Sequence, residues 1–213
     1  MNETKVALDF WGKRTQYPNY PNTKQRRLLD VNFVVANGGN PSTILDLGCA
    51  DGYLLIALRE FTTASKFYGY DISKDLLRKL RLRWGNIKEL ETRVYDFTKD
   101  KDYPQTDLVL SMGSFSYIFK DEELHTLLRN VKSDLLIVRA SCTLNKEDEI
   151  INKFSEDLGE NYAAIYRTVS NYKSILSKHF IVSEISRAYP DKIESKYGTK
   201  HFFFVCKNGL KCF

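Results

Sequence analysis

The apolar positions of the chain fall into a regular rhythm that begins at Thr43. Short, nearly uninterrupted apolar runs read as strands: TILDL (43–47), KFYGYD (66–71), TRVYDF (92–97), DLVLSM (107–112), DLLIVRA (134–140), FIVSEIS (180–186) and HFFFVCK (201–207). Runs apolar at almost every position suit strands covered on both faces, and such strands are mostly parallel. Between them lie segments of helical period. GYLLIALREF opens at Asp51 or Gly52, and KDLLRKLRLRW follows Ser73, a good N-cap, with Asp75 in the first turn. From Asp121 runs EELHTLLRNV, whose Leu124, Leu127 and Leu128 share one buried face. The alternation predicts an α/β fold: a doubly wound, mainly parallel seven-stranded sheet with helices on both faces. The turn-rich AYPDKIESKYGTK joins the final two strands without a helix, so the last strand is expected to be antiparallel.

Two segments stand outside this rhythm. Residues 1–40 hold an aromatic-rich stretch, FWGKRTQYPNYPNT, then a helix from Lys24 to about Asn37. Residues 141–179 (KEDEIINKFSEDLG, NYAAIYRTV, SNYKSILSKHF) read as helical material. Ligands of doubly wound sheets bind beyond the carboxyl ends of the strands. Both segments are placed in sequence to cover that rim.

Length and composition fit one soluble domain: 213 residues, 43% hydrophobic and 28% charged, without repeat or low-complexity linker. The net charge of +5 tolerates an anionic partner but is not the strong basicity expected of a nucleic-acid binder. MNETKVALDFWGKR carries no secretory leader, and no apolar run approaches the ~20 residues of a membrane span. A cytoplasmic, non-membrane protein is expected. Cys49, Cys142, Cys206 and Cys212 form no C-x-x-C pair, and His125, His179 and His201 are scattered. Reduced structural thiols and no metal site follow.

The candidate chemistry lies in ILDLGCADGY. Gly48 and Gly52 bracket the turn after the first strand, where glycine allows positive φ and close approach of a ligand. The glycines do not meet G-x-G-x-x-G, and no P-loop lysine follows. Asp46, ahead of the first glycine, would repel a pyrophosphate and suits an amine or positive centre. Asp71 stands 19 residues past Gly52, at the end of the second strand, where an acid can accept from ribose hydroxyls. The third strand delivers Asp96 and Phe97 to the same rim. One such acid alone reads as a solvated turn residue. Three in succession after this loop read as a site.

In these residues the chain resembles the class I S-adenosylmethionine-dependent methyltransferases. The first motif of that family appears as Asp46-Leu47-Gly48-Cys49-Ala50-Asp51-Gly52, and the strand-four motif as TDLVLSMGSFSYI before the acidic helix DEELHTLL. The resemblance covers Thr43 to Ala140, and the terminal strands more loosely. It implies S-adenosyl-L-methionine as cofactor, with its methionyl end at Asp46, Gly48, Cys49, Ala50 and Gly52. Asp71 would take the ribose, Ile72 and Phe97 would flank the adenine, Asp96 would accept from its amine, and Ser111 and Met112 would lie under the sulfonium. The single domain then divides into a lid (1–40), a cofactor-binding half (43–140) and an acceptor side (141–213). Ala50 replaces the usual middle glycine, a place alanine can fill if its φ stays negative. Val131-Lys132-Ser133-Asp134 departs from the usual Leu-Lys-Pro-Gly-Gly.

On the acceptor side the residues leave more open. Methyl transfer needs a base only if the nucleophile must lose a proton. Ser116 and Tyr117 follow the fourth strand; Tyr117 is the candidate to orient an acceptor or take its proton, or else it packs over the cofactor. Arg14, Tyr17, Tyr20 and Arg27 suit a lid meeting an anion, or else pin the N-terminal segment to the core. Tyr166 and Arg167 precede a helix and are placed to close over an acceptor, or else they pack in the core or cap that helix. The leading expectation is methylation of a small-molecule or sugar-like acceptor, anionic ones included, by a monomer or homodimer. The alternatives are a phosphate or RNA-end acceptor, and a catalytically silent binding protein of the same fold.

Overall fold

The computed structural model describes residues 2–18, 22–85, 88–156, 158–194 and 198–209. Its frame is a seven-stranded sheet made of β1 (Thr43–Leu47), β2 (Lys66–Asp71), β3 (Leu90–Val94), β4 (Thr106–Met112), β5 (Ser133–Thr143), β8 (Ile181–Arg187) and β9 (Thr199–Lys207). The spatial order is β3-β2-β1-β4-β5-β9-β8. β1 to β5 pair in parallel, and β9 runs antiparallel between β5 and β8. The order reverses direction beside β1, with β2 on one side and β4 on the other. That switch point opens the crevice in which such sheets take ligands.

Two apolar layers cover the sheet. Leu54, Leu55 and Leu58 of α3 (Tyr53–Phe61) pack with Leu77 and Leu80 of α4 (Lys74–Trp84) and Val34 of α2 (Thr23–Asn37) over Ile44, Leu108 and Ile137. On the other face, Leu124, Leu127 and Leu128 of α5 (Asp121–Asn130) and Tyr172 and Leu176 of α6 (Val169–Ser177) cover Leu45, Val109 and Val138. The Ser73 cap expected from sequence forms, accepting from the Leu76 amide, while α5 has no side-chain cap and carries Asp121, Glu122 and Glu123 in its first turn.

Residues 141–179 are a correction. In place of continuous helix, β6 (Glu149–Ser155) and β7 (Glu160–Tyr166) form an antiparallel hairpin, and only α6 is helical. Lys and Glu favour helix weakly in isolation. Here Ile150 opposite Ile165, the buried Ala163, Ala164 and Ile165, and a turn with Gly159 at φ +69° favour pairing. A further helix, α1 (Glu3–Gly12), lies in the aromatic segment, capped by Asn2. β3 also ends earlier than expected, leaving Asp96 and Phe97 in the following turn. Among the described residues, no helix is long and apolar enough to cross a membrane.

Candidate functional site

A cleft opens at the carboxyl ends of β1, β2 and β4. Its floor is Gly48, Ala50, Met112 and Ser114, one wall is Asp71, Ile72, Asp96 and Phe97, and its roof is Ala7, Leu8 and Trp11 of α1 with Tyr17.

The loop after β1 turns through three left-handed residues. Gly48 has φ +79°, and a Cβ there would lie 2.6 Å from the Ser114 Cβ. The Ser114 hydroxyl donates to the Leu47 carbonyl at 2.7 Å and lies 2.7 Å from the Ser111 hydroxyl, tying the ends of β1 and β4 together. Ala50 corrects the sequence expectation: its φ is +50°, not negative. Its amide donates to Asp71 Oδ2 at 2.9 Å, which holds the strained conformation in place. Gly52, at φ +72°, serves packing, since a Cβ there would lie 2.1 Å from Leu80 Cδ1. Cys49 is turned into the core with Leu55 and Leu80, and burial pushes its thiol well above the ordinary range. Neither Cys49 nor Gly52 lines the cleft.

Three acids face or underlie this loop. Asp71 accepts from the amides of Ala50 and Ser73, one on each carboxylate oxygen. With the Ile72 amide as a further donor, the carboxylate still keeps acceptor capacity for a ligand hydroxyl. Burial raises Asp71 to about 6, outweighing the hydrogen bonds from Ser73, Ala50 and Ile72. Asp46 lies behind the loop, 2% exposed, with Oδ1 buried and unpartnered. Burial, reinforced by Asp71 and opposed by Arg139, raises Asp46 to about 8. Burial also pushes Asp96 upward, but hydrogen bonds from Thr98 and pairing with Lys99 outweigh it and hold Asp96 below the usual carboxylate range. Its Oδ1 accepts from the Thr98 amide and hydroxyl, and its Oδ2 pairs with Lys99 at 3.1 Å.

A family model described as "Methyltransferase domain" matches residues 45–136. Among solved structures, the DhpI–SAM–HEP complex superposes with a TM-score of 0.72 at 13% identity, covering 96% of this chain and 97% of that one. A SAM-dependent methyltransferase from Leishmania major gives 0.71 at 12% identity over 96% and 83%. Magnesium protoporphyrin IX methyltransferase from Synechocystis, solved with bound SAM, gives 0.66 at 14% identity over 98% of both chains. A search of curated protein sequences returns no match.

The chain has the class I, Rossmann-like methyltransferase fold.

In this methyltransferase fold the residues expected on the acceptor side divide sharply. Tyr117 lines the cleft, its hydroxyl 3.1 Å from that of Tyr162 on β7. Ser116 is buried beside it and does not reach the lining. Tyr17 roofs the cleft, and Tyr20 lies outside the described residues. Arg14 turns away to pair with Glu160, its guanidinium 3.8 Å from the Phe10 ring centroid, and its carbonyl accepts from the Ser73 hydroxyl. Arg27 pairs with Asp51 at 3.2 Å and covers the ring of Tyr53. Tyr166, half-buried at the end of β7, is the register partner of Glu149, and burial raises its phenol.

Arg167 takes the core-packing alternative. It is fully buried, pairs with Asp121 at 2.9 Å, and donates to the carbonyls of Phe115 and Ile118. It therefore clamps the turn that carries Tyr117.

Sequence reasoning missed a buried network beside the floor. Tyr53 and Tyr189 donate to the two oxygens of Asp30, and Arg139 pairs with Asp30 while donating to the Met112 carbonyl at 2.6 Å. An arginine inside the apolar run of β5 was the available signal. A charge in a covered strand needs a partner. Among the described residues, no three or more His, Cys, Asp or Glu side chains are grouped to hold a metal.

Proposed function

We propose that this chain is an S-adenosylmethionine-dependent methyltransferase acting on a small-molecule acceptor. The single observation that carries the reading is the Asp71 carboxylate, held by the Ala50 and Ser73 amides at the edge of the cleft with acceptor capacity left for a ribose hydroxyl. The residues present fit the cofactor. Asp46, behind the loop and outside the cleft lining, keeps a buried, unpartnered carboxylate oxygen that suits the expected ammonium, and Gly48 presents bare backbone to the cleft. Ile72 and Phe97 offer apolar faces to the adenine, and Asp96 an acceptor to its amine.

The cofactor supplies an electrophilic methyl on a cationic sulfonium. The chain's own task is then alignment and exclusion of water. Met112, Gly113 and Ser114 form the floor at the reacting end, fixed by Arg139 and by the Ser111–Ser114 pair. Trp11 and Tyr17 roof it against solvent. Tyr117 borders the same space and can orient an acceptor hydroxyl through its own.

The solved neighbours favour a small acceptor. One is named for magnesium protoporphyrin IX, and another, a Burkholderia thailandensis N1-methyltransferase, was solved with 1,6-didemethyltoxoflavin. Arg14 and Arg27, the motive for a phosphate or RNA end, each pair with a carboxylate outside the cleft lining. A screen of metabolite, sugar-phosphate and RNA pools with labelled methyl donor tests the reading. Label in a small molecule supports it, and label confined to RNA overturns it.

A further inference from the structure

The roof of the cleft and the turn after β4 form a box of aromatic rings. Trp11 meets Tyr117 edge to face, with centroids 5.2 Å apart and planes at 65°. Tyr17 lies 6.2 Å from Trp11 on one side, and Tyr162 stands 6.2 Å from Tyr117 at 86° on the other. Phe10 buttresses the box from behind, 5.3 Å from Tyr162. Three of these rings, Trp11, Tyr17 and Tyr117, line the cleft beside Met112 and Gly113.

Two further observations give the box a chemistry. Among the described residues, the buried Trp11 indole N–H has no hydrogen-bond partner. A buried indole donor normally finds an acceptor, so this one is suited to an oxygen or ring nitrogen brought by a ligand. Among the described residues, no lysine or arginine lines the cleft, and its charged lining residues are Asp71 and Asp96. The nearby cations are each paired with a carboxylate outside the cleft lining: Lys13 and Arg14 share Glu160, Arg27 shares Asp51 with Arg83, Arg139 pairs with Asp30 and Arg167 with Asp121. An anion entering here would lose its water without gaining a counter-charge from the protein.

We propose that the methyl acceptor is a flat, uncharged aromatic molecule bearing an oxygen, taken up between Trp11 and Tyr117 with the Trp11 N–H donating to that oxygen. This rests on the methyltransferase reading and narrows its acceptor class. The acceptor replaces the edge-to-face contact of Trp11 with Tyr117 by parting α1 from the turn that carries Tyr117. Offset and edge-to-face ring contacts then hold it on several sides, and the absence of a cationic side chain selects against its phosphorylated counterparts.

The test uses three probes on the whole chain saturated with S-adenosylhomocysteine, measured by titration calorimetry. 2-Naphthol is planar and uncharged, 2-naphthyl phosphate carries the same ring with a dianion, and 2-decalol has similar bulk without a π-face. The expected result is that 2-naphthol binds at least tenfold more tightly than either of the others, and that Trp11→Phe, which keeps a ring but removes the N–H, weakens 2-naphthol several-fold. Preference for the phosphate, equal binding of 2-decalol, or no 2-naphthol binding at millimolar concentration would each overturn the proposal. Saturation with S-adenosylhomocysteine is itself observed first, so failure of the wider reading shows as failure of that step alone.

Discussion

The Ala50 amide donates to the Asp71 carboxylate across 2.9 Å, joining the turn after β1 to the end of β2. The pairing explains how a residue with a Cβ keeps a φ of +50° at the centre of the loop. On the proposed reading, the acid that takes the ribose is the same group that orders the loop beneath the methionyl end, which couples the two halves of the proposed cofactor site.

The strain at Ala50 is therefore measurable. A non-glycine residue held left-handed costs about 1–3 kcal/mol, of which glycine gives back about 0.4–1 kcal/mol through its freer unfolded state. Ala50→Gly is expected to raise stability by about 1 kcal/mol in a urea titration and to leave cofactor affinity within about twofold. Loss of stability would show that the loop is not strained.

Asp46 predicts a proton linkage. Its folded pKa of about 8 lies far above the ordinary carboxylate value, so its contribution to the stability of the free protein is full below about pH 4. That contribution is lost as pH rises through 8, because the unfolded chain is already ionised while the folded chain still binds the proton. Asp46→Asn should flatten the fall in stability between pH 5 and 9, relative to the unsubstituted chain. Calorimetry near pH 7 in buffers of different ionisation enthalpy should show a proton released when S-adenosylhomocysteine brings its ammonium to Asp46. Asp46→Asn should abolish the release and weaken binding.

Arg167 is expected to act on stability. Arg167→Met removes the partner of Asp121 and leaves the Phe115 and Ile118 carbonyls without its N–H groups. Asp121 keeps partial access to water, so the cost should fall near the low end for a broken buried pair, about 3 kcal/mol. A thermal melt measures it. An unchanged melting temperature with impaired turnover would instead restore Arg167 as an acceptor residue.

Glu160 gathers Lys13 and Arg14 and so latches α1 to the hairpin. These pairs are partly exposed, and Glu160→Gln should cost less than about 1 kcal/mol of stability. The same change should speed dissociation of S-adenosylhomocysteine in stopped-flow experiments, because α1 roofs the cleft. Identical rates would mean that the roof opens elsewhere.

How much of this was legible in the sequence depended on distance along the chain. β1, β2, β4 and β5 are apolar almost throughout, so their burial could be read directly, and Asp71 and Asp96 follow from strand ends. The hairpin was hidden because β6 is largely exposed and its residues carry no strong period. The φ of Ala50 was hidden because the cause lies 21 residues away in Asp71. The charge of Arg14 was legible, but its partner Glu160 is 146 residues distant. Arginines that looked available for an anion were already committed to carboxylates brought in by the fold.

The most direct measurement is titration of the intact chain with S-adenosylhomocysteine, beside Asp71→Ala. The expected result is one site per chain for the unsubstituted protein and at least a hundredfold loss of affinity for Asp71→Ala, with both proteins folded by circular dichroism. Failure of the unsubstituted protein to bind, or undiminished binding by Asp71→Ala, would contradict it.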